Sequence, residues 1–175
     1  MSAGWPAIAA VALLAPLAAC DRAAPDGPPQ VLLGESVCEY CNMIVSDDRW
    51  ATATMVEGPR GPEPRLFDDF NCQVDYEKAH PELRVLARWS HCHKTREWLH
   101  TEHGTFLMSP RLRTPMSSKV AAFAKASEAE TSKTELTGDV MGFAALWKRL
   151  GSTDAGDLGS EAALPRPGEA PDDGP

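Results

Sequence analysis

The sequence predicts an α+β domain assembled from two β-β-α-β-type units, and three observations carry that prediction. Stretches with the two-residue alternation of strands recur between residues 51 and 108. One helical stretch, opened by paired carboxylates and closed by a proline, interrupts them. A second set of helical spacings then fills residues 119–149.

Taken in order, Ala51-Thr52-Ala53-Thr54-Met55-Val56 alternates small or apolar residues with polar and β-branched ones, which predicts a strand. Gly58-Pro59-Arg60-Gly61-Pro62 is a turn cluster, and Arg65-Leu66-Phe67 begins again as a second strand. Asp68 and Asp69 sit where acids cap a helix and meet its dipole, so residues 71–79 are expected to be helical until Pro81 stops them. Residues 84–89 form a third strand. Residues 95–103 are expected to hold one or two helical turns, and 105–108 a further strand. Residues 119–130 place Val120, Phe123, Ala124 and Ser127 near helical spacing and predict an amphipathic helix. A short strand is expected around Glu135 and Leu136. Residues 139–149 predict a last helix with Val140, Phe143, Ala144 and Trp147 on one face and Gly151 beyond its end.

The two ends of the chain read differently from this domain. The first nineteen residues carry no charged side chain, and residues 7–19 are almost wholly apolar. That run is shorter than the roughly 20 residues a membrane-spanning helix needs and matches the apolar region of a secretory signal. It closes with Leu17-Ala18-Ala19-Cys20, which resembles a bacterial lipobox. Cleavage before Cys20 and lipidation of its thiol would leave an extracytoplasmic protein anchored to a membrane. Residues 20–34 then follow as a Pro- and Gly-rich tether. Residues 151–175 are expected to be a disordered acidic tail, with Asp154, Asp157, Glu161, Glu169, Asp172 and Asp173 against Arg166. That tail accounts for −5 of the formal net charge of −8. No basic stripe is present, which argues against nucleic acid as a partner. The folded part is therefore expected within residues 35–150.

Besides Cys20, four cysteines remain: Cys38, Cys41, Cys72 and Cys92. An even number in an oxidising compartment is compatible with disulfides, Cys38–Cys41 and Cys72–Cys92 being one arrangement. The run Cys38-Glu39-Tyr40-Cys41-Asn42-Met43 argues for another chemistry. A thiolate and a thioether two residues apart project to the same side of an extended segment, and Cys38 approaches Cys41 across a turn. Soft sulfur ligands of this kind select Cu(I) over harder ions. Thr114-Pro115-Met116 offers another sulfur, on backbone stiffened by Pro115.

These motifs, in this order, resemble the NosL family of nitrous oxide reductase accessory lipoproteins. The resemblance rests on Cys38-x-x-Cys41-x-Met43-Ile44, on Leu66-Phe67-Asp68-Asp69 with Cys72 close behind, and on Thr114-Pro115-Met116 followed by Ala122-Phe123. It implies a fold resembling that of organomercurial lyase. It also implies a Cu(I)-binding metallochaperone that passes copper to the transporter and maturation machinery of nitrous oxide reductase. By the same resemblance Cys41, Met43 and Met116 are the first copper ligands, with Cys38 a further candidate. The chain departs from the family pattern at Asn42, where many relatives have Gly, and at Ser117-Ser118, where a Gly-containing sequence is often seen.

His91-Cys92-His93, with His100 and His103, is dense enough to supply an imidazole to the copper or to form a second, weaker metal site, but a solvated turn and a helix with polar faces is the preferred reading. Cys72 reads as a packing residue on the inner side of its helix. Met55 and Met108 read as core. Two other functions compete with metal delivery. A thiol–disulfide oxidoreductase would use Cys38-x-x-Cys41, but such motifs sit at a helix N-terminus, and this one follows a linker. A zinc-stabilised module would need four ligands, drawn from Cys38, Cys41, His91, Cys92 and His93, without clean spacing in the second half. No nucleophile–base pair or phosphate loop is present, so no enzyme is expected.

Overall fold

In the computed structural model residues 27–152 are described. The predicted signal segment, the lipidation candidate Cys20, the first part of the tether (residues 20–26) and nearly all of the acidic tail lie outside the described residues.

Strands β1 (Thr52–Gly58) and β2 (Gly61–Phe67) form an antiparallel hairpin in which Gly58 faces Gly61. The loop between them is Pro59-Arg60, and Gly61 has a φ of 134°, which only glycine adopts without strain. Helix α1 (Phe70–Ala79) follows at once, and β3 (Val85–His91) returns to the free edge of β1. Strand β4 (Trp98–His100) extends the sheet, giving the order β2-β1-β3-β4. A single 3-10 turn, Thr101–His103, leads to the second unit. There β5 (Thr105–Met108), β6 (Val120–Phe123), helix α2 (Ala126–Leu136) and β7 (Asp139–Gly142) repeat the pattern, with order β6-β5-β7. Helix α3 (Phe143–Ser152) ends the described chain. In both units the first strand lies between the second and the third, so the fold is α+β with two β-β-α-β halves, as the sequence predicts.

Four stretches differ from their sequence expectations. Residues 119–130 are not one helix: Val120-Ala121-Ala122-Phe123 is a fully buried strand, and the helix starts only at Ala126. A short apolar run without polar interruption fits a buried strand and a helix equally, and length alone separates them. The strand expected at Glu135 and Leu136 is the last turn of α2. Residues 139–149 divide into β7 and α3, because Val140 and Met141 complete the sheet beside β5. The helical turn expected in residues 95–103 is reduced to the 3-10 turn, with Trp98–His100 paired to β3.

The period-two alternation of β5 and β6 divides the second unit's packing. Phe106, Val120 and Ala122 face α1 and α3, where they meet Phe70, Val74, Leu146 and Leu150. Leu107, Ala121 and Phe123 face α2 and meet Ala129, with Trp50 and Leu112 alongside. Burying each large apolar side chain here is worth about 1.5–3 kcal/mol. Helix α1 thus bridges the units: its apolar side covers the second sheet, and its polar side is pinned to the first. Gln73 Nε2 donates to the Ala53 carbonyl at 3.0 Å and to Thr54 Oγ1 at 2.9 Å. Thr54 Oγ1 in turn donates to Glu77 at 2.6 Å. This bridging fixes the first turn of α1, which carries Cys72. Among the described residues no helix is long and apolar enough to cross a membrane.

Candidate metal centre

The segment before β1 folds back on itself to present its cysteines. Val37 and Ile44 form an antiparallel bridge, Cys38 N–H donates to the Met43 carbonyl at 2.8 Å, and Asn42 N–H donates to the Cys38 carbonyl at 2.9 Å. Closing this turn requires a left-handed residue, and Asn42 supplies it at φ 59°. Asn and Gly are the two residues that most readily adopt that conformation, so Asn42 closes the turn at little cost. Glu39 N–H donates to the Leu66 carbonyl at 2.9 Å and ties the turn to β2.

Directly after β2 the chain reaches Asp68 and Asp69. Asp69 caps α1, its Oδ1 accepting from Phe70 N–H at 2.8 Å. Cys72 lies in the first turn of that helix. The turn and the helix start therefore converge, and the sulfurs of Cys38, Cys41 and Cys72 all lie within 4.8 Å of one another. Cys38 and Cys72 are buried, and Cys41 is partly exposed. Phe67 completes the buried cluster, with Tyr76 and Met116 packed against it. Met116 arrives from the second unit, on the loop between β5 and β6.

The three thiols are electrostatically unlike. Cys38 is pulled down to about 5, first by the hydrogen bond from the Cys72 thiol and then, against the opposing effect of burial, by backbone N–H groups of Cys41, Asp68 and Tyr40. Cys72 is pushed far up, first by that same hydrogen bond to Cys38, then by burial and by the neighbouring charge of Cys38. Cys41 is raised chiefly by burial. Near neutral pH the cluster is thus one thiolate hydrogen-bonded to protonated partners. Asp68, only 1% exposed, is raised to about 6 by burial first and by Cys38 and Asp69 next, and its Oδ1 has no hydrogen-bond partner.

Of the residues singled out by sequence, Cys38 and Cys41 are brought together and Met116 packs on them. Met43 is placed differently: it is 52% exposed and lines a surface cavity of about 410 Å³ with Trp50, Asp68, Arg113 and Pro115. Cys72, which reads as a packing residue in the sequence, is the third sulfur of the cluster. A cysteine three residues beyond a helix cap was the available signal, but only the tertiary fold shows that this first turn faces the Cys38–Cys41 segment. Ser117 adopts φ 61°, a left-handed backbone conformation that favours glycine.

The histidines do not join. His91 stacks on Trp98 with ring centroids 3.6 Å apart, and its Nδ1 is 3.0 Å from the Ala51 carbonyl. His93 packs near Trp50 and Phe123, and His100 lies over Trp89 at 3.8 Å, beside His103. Cys92 is buried where β3 runs out, bridged to Ala122. Among the described residues the three cysteines are the only group of three or more such side chains placed to hold one metal ion. All four described cysteines are free thiols. Met55 is core, and Met108 packs on the core between α1, α3 and the second sheet.

A family model described as NosL matches residues 29–150. Among solved structures, the fold is similar to that of the copper chaperone NosL from Shewanella denitrificans, with a TM-score of 0.56 and 13% identity. The match covers 69% of this chain and 96% of that one. No curated protein matches the sequence.

Proposed function

The chain belongs to the NosL family, and from that premise we propose that it is a copper carrier, binding Cu(I) as cargo and passing it to a copper enzyme under assembly. The observation that carries this reading is the convergence of Cys38, Cys41 and Cys72 within 4.8 Å, with the Met116 side chain packed against them. Three thiol sulfurs and a thioether form a soft donor set, which favours Cu(I) over Mg²⁺, Ca²⁺ or Mn²⁺. Cys38, Cys41, Cys72 and Met116 are the inner ligands in this proposal. Met43, exposed two residues from Cys41, is an outer ligand engaged during capture or release. Thiols must lose their protons to ligate, so loading releases protons from Cys41 and Cys72.

Nitrous oxide reductase is the proposed final recipient, reached through a membrane transporter of its maturation machinery. The proposed location is the extracytoplasmic face of a membrane, held there through lipidated Cys20. Replacing Cys20 by Ala should move the protein from the membrane to the soluble fraction; unchanged membrane association would remove the anchor from the proposal.

A thiol–disulfide oxidoreductase is disfavoured by the burial of Cys38. Its sulfur is the most acidic of the three yet has no exposed surface, so an external disulfide cannot reach it. Zinc stapling is disfavoured because, among the described residues, no fourth thiol or imidazole joins the cluster. The deciding experiment is anaerobic titration of the fully reduced chain with Cu(I) against a chromophoric chelator. Stoichiometric competition, abolished by Cys41→Ser, supports the carrier reading. Failure of the reduced wild-type chain to compete would overturn it.

A further inference from the structure

We infer that Asp69 is the positioning residue of this site: its buried carboxylate holds the loop that carries Met116 and so sets the thioether beside the three cysteine sulfurs. This inference rests on the copper reading and extends it to a group that touches no metal.

Asp69 is fully buried. One of its oxygens caps α1 by accepting from Phe70 N–H and also receives the Ser118 hydroxyl. The other accepts from Thr114 Oγ1 at 2.7 Å, Met116 N–H at 2.9 Å and Ser118 N–H at 3.2 Å. Five donors on one carboxylate meet or exceed its four or so lone-pair sites, so it has no capacity to spare. Thr114 Oγ1 in turn accepts from Lys119 N–H at 3.1 Å, which closes the loop on itself. From the same end of α1, Asn71 Nδ2 donates to the Met116 carbonyl. Both backbone polar groups of Met116 are therefore fixed by residues that flank Cys72.

A helix cap needs one acceptor for one or two N–H groups. The four further donors on Asp69 come from a loop 45 to 49 residues away in sequence, and capping does not account for them. The loop is also strained: Ser117 and Lys119 adopt φ values of 61° and 57°, each costing roughly 1–2 kcal/mol for a non-glycine residue. It holds this shape because the carboxylate satisfies its donors together. Methionine has three rotatable bonds and no directional preference of its own, so its placement depends on the backbone beneath it. Asp69 thus links Cys72, through the helix it caps, to Met116, through the loop it clamps.

The test is a double-mutant cycle on the full chain, with Cu(I) affinity and the number of copper–sulfur contacts from X-ray absorption as readouts. Asn in place of Asp69 keeps the capping oxygen but turns a donor group toward Thr114, Met116 and Ser118. Asp69→Asn should lose one copper–sulfur contact and about 10-fold to 100-fold in affinity, as Met116→Leu does, and the double variant should lose no more than Met116→Leu alone. Losses that multiply in the double variant, or an Asp69→Asn chain with a lowered Tm but wild-type affinity and sulfur count, would overturn the inference. If Asp69→Asn does not fold, Asn71→Ala decides: it frees the Met116 carbonyl and the Cys72 N–H while leaving the Asp69 carboxylate in place, it should weaken the same sulfur contact, and unaltered binding by folded Asn71→Ala would count against the clamp. A wild-type chain that binds no Cu(I) defeats the copper reading itself, and the clamp with it. A wild-type chain that binds, with variants that act independently, defeats the clamp alone.

Discussion

At the scale of single residues, the ligand set expected from sequence and the one favoured by the fold diverge at two positions. Met43 is half exposed, whereas Cys72 is 2% exposed within the cluster. Cys72→Ser is therefore expected to lower Cu(I) affinity by at least about 100-fold, and Met43→Leu by far less, in the same chelator competition. The opposite ranking would return the site to the Cys-x-Met pair. Asp68 makes a separate prediction. Its folded-state pKa, raised to about 6, means its protonated form is the one the fold favours. The stabilising contribution is present below the unfolded value of about 4 and is lost as pH rises through about 6. Asp68→Asn should accordingly stabilise the copper-free chain by roughly 2 kcal/mol above neutral pH. That advantage should shrink steadily as the pH falls toward 4, as followed by urea denaturation; a pH-independent difference would contradict it.

At the scale of elements, legibility in the sequence tracked how local the determining physics is. The β1–β2 hairpin, α1 with its Asp69 cap, and β5 were all readable, because turn residues, capping oxygens and alternation lie within a few positions of what they specify. Strands β6 and β7 were not, since Val120–Phe123 and Asp139–Gly142 become strands only by pairing on either side of β5. The metal centre divides the same way. Cys38 and Cys41 announce themselves by spacing, while Cys72 and the Asp69 clamp depend on α1 meeting segments far away in sequence. The junction of α2 and β7 allows a direct check on this geometry. Gly138 has φ 109°, and a Cβ there would lie 2.1 Å from the Met108 carbonyl oxygen. Gly138→Ala should therefore cost about 2–3 kcal/mol of unfolding free energy, measured in denaturant. A loss within experimental error would show that the β5–β7 edge can yield.

At the scale of the whole molecule, the two β-β-α-β halves share one helix and one site. Cys38, Cys41 and Cys72 belong to the first half and Met116 to the second, and α1 buries Phe70 and Val74 against the second sheet. Binding at this seam should be felt by the entire fold. At about a thousandfold excess of free Cu(I) over its dissociation constant, unfolding should become about 4 kcal/mol costlier. Cys41→Ser should show no such gain in Tm on adding copper. Hydrogen exchange should slow in β5 and β6 as well as in α1; slowing confined to the first half would place Met116 outside the coordination sphere.

The unequal burial of the three sulfurs has a kinetic consequence. Cys38 and Cys72 are sealed in, and Cys41 alone of the three is partly open to solvent. An ion held by all three has one bond that an incoming ligand can attack and two that it cannot. Spontaneous escape requires breaking sheltered bonds with nothing ready to replace them, so it is slow. An acceptor that adds at the Cys41 side opens an associative path, with a rate that rises with acceptor concentration. Such a carrier retains its cargo while it waits and yields it on encounter, so the recipient sets the moment of release.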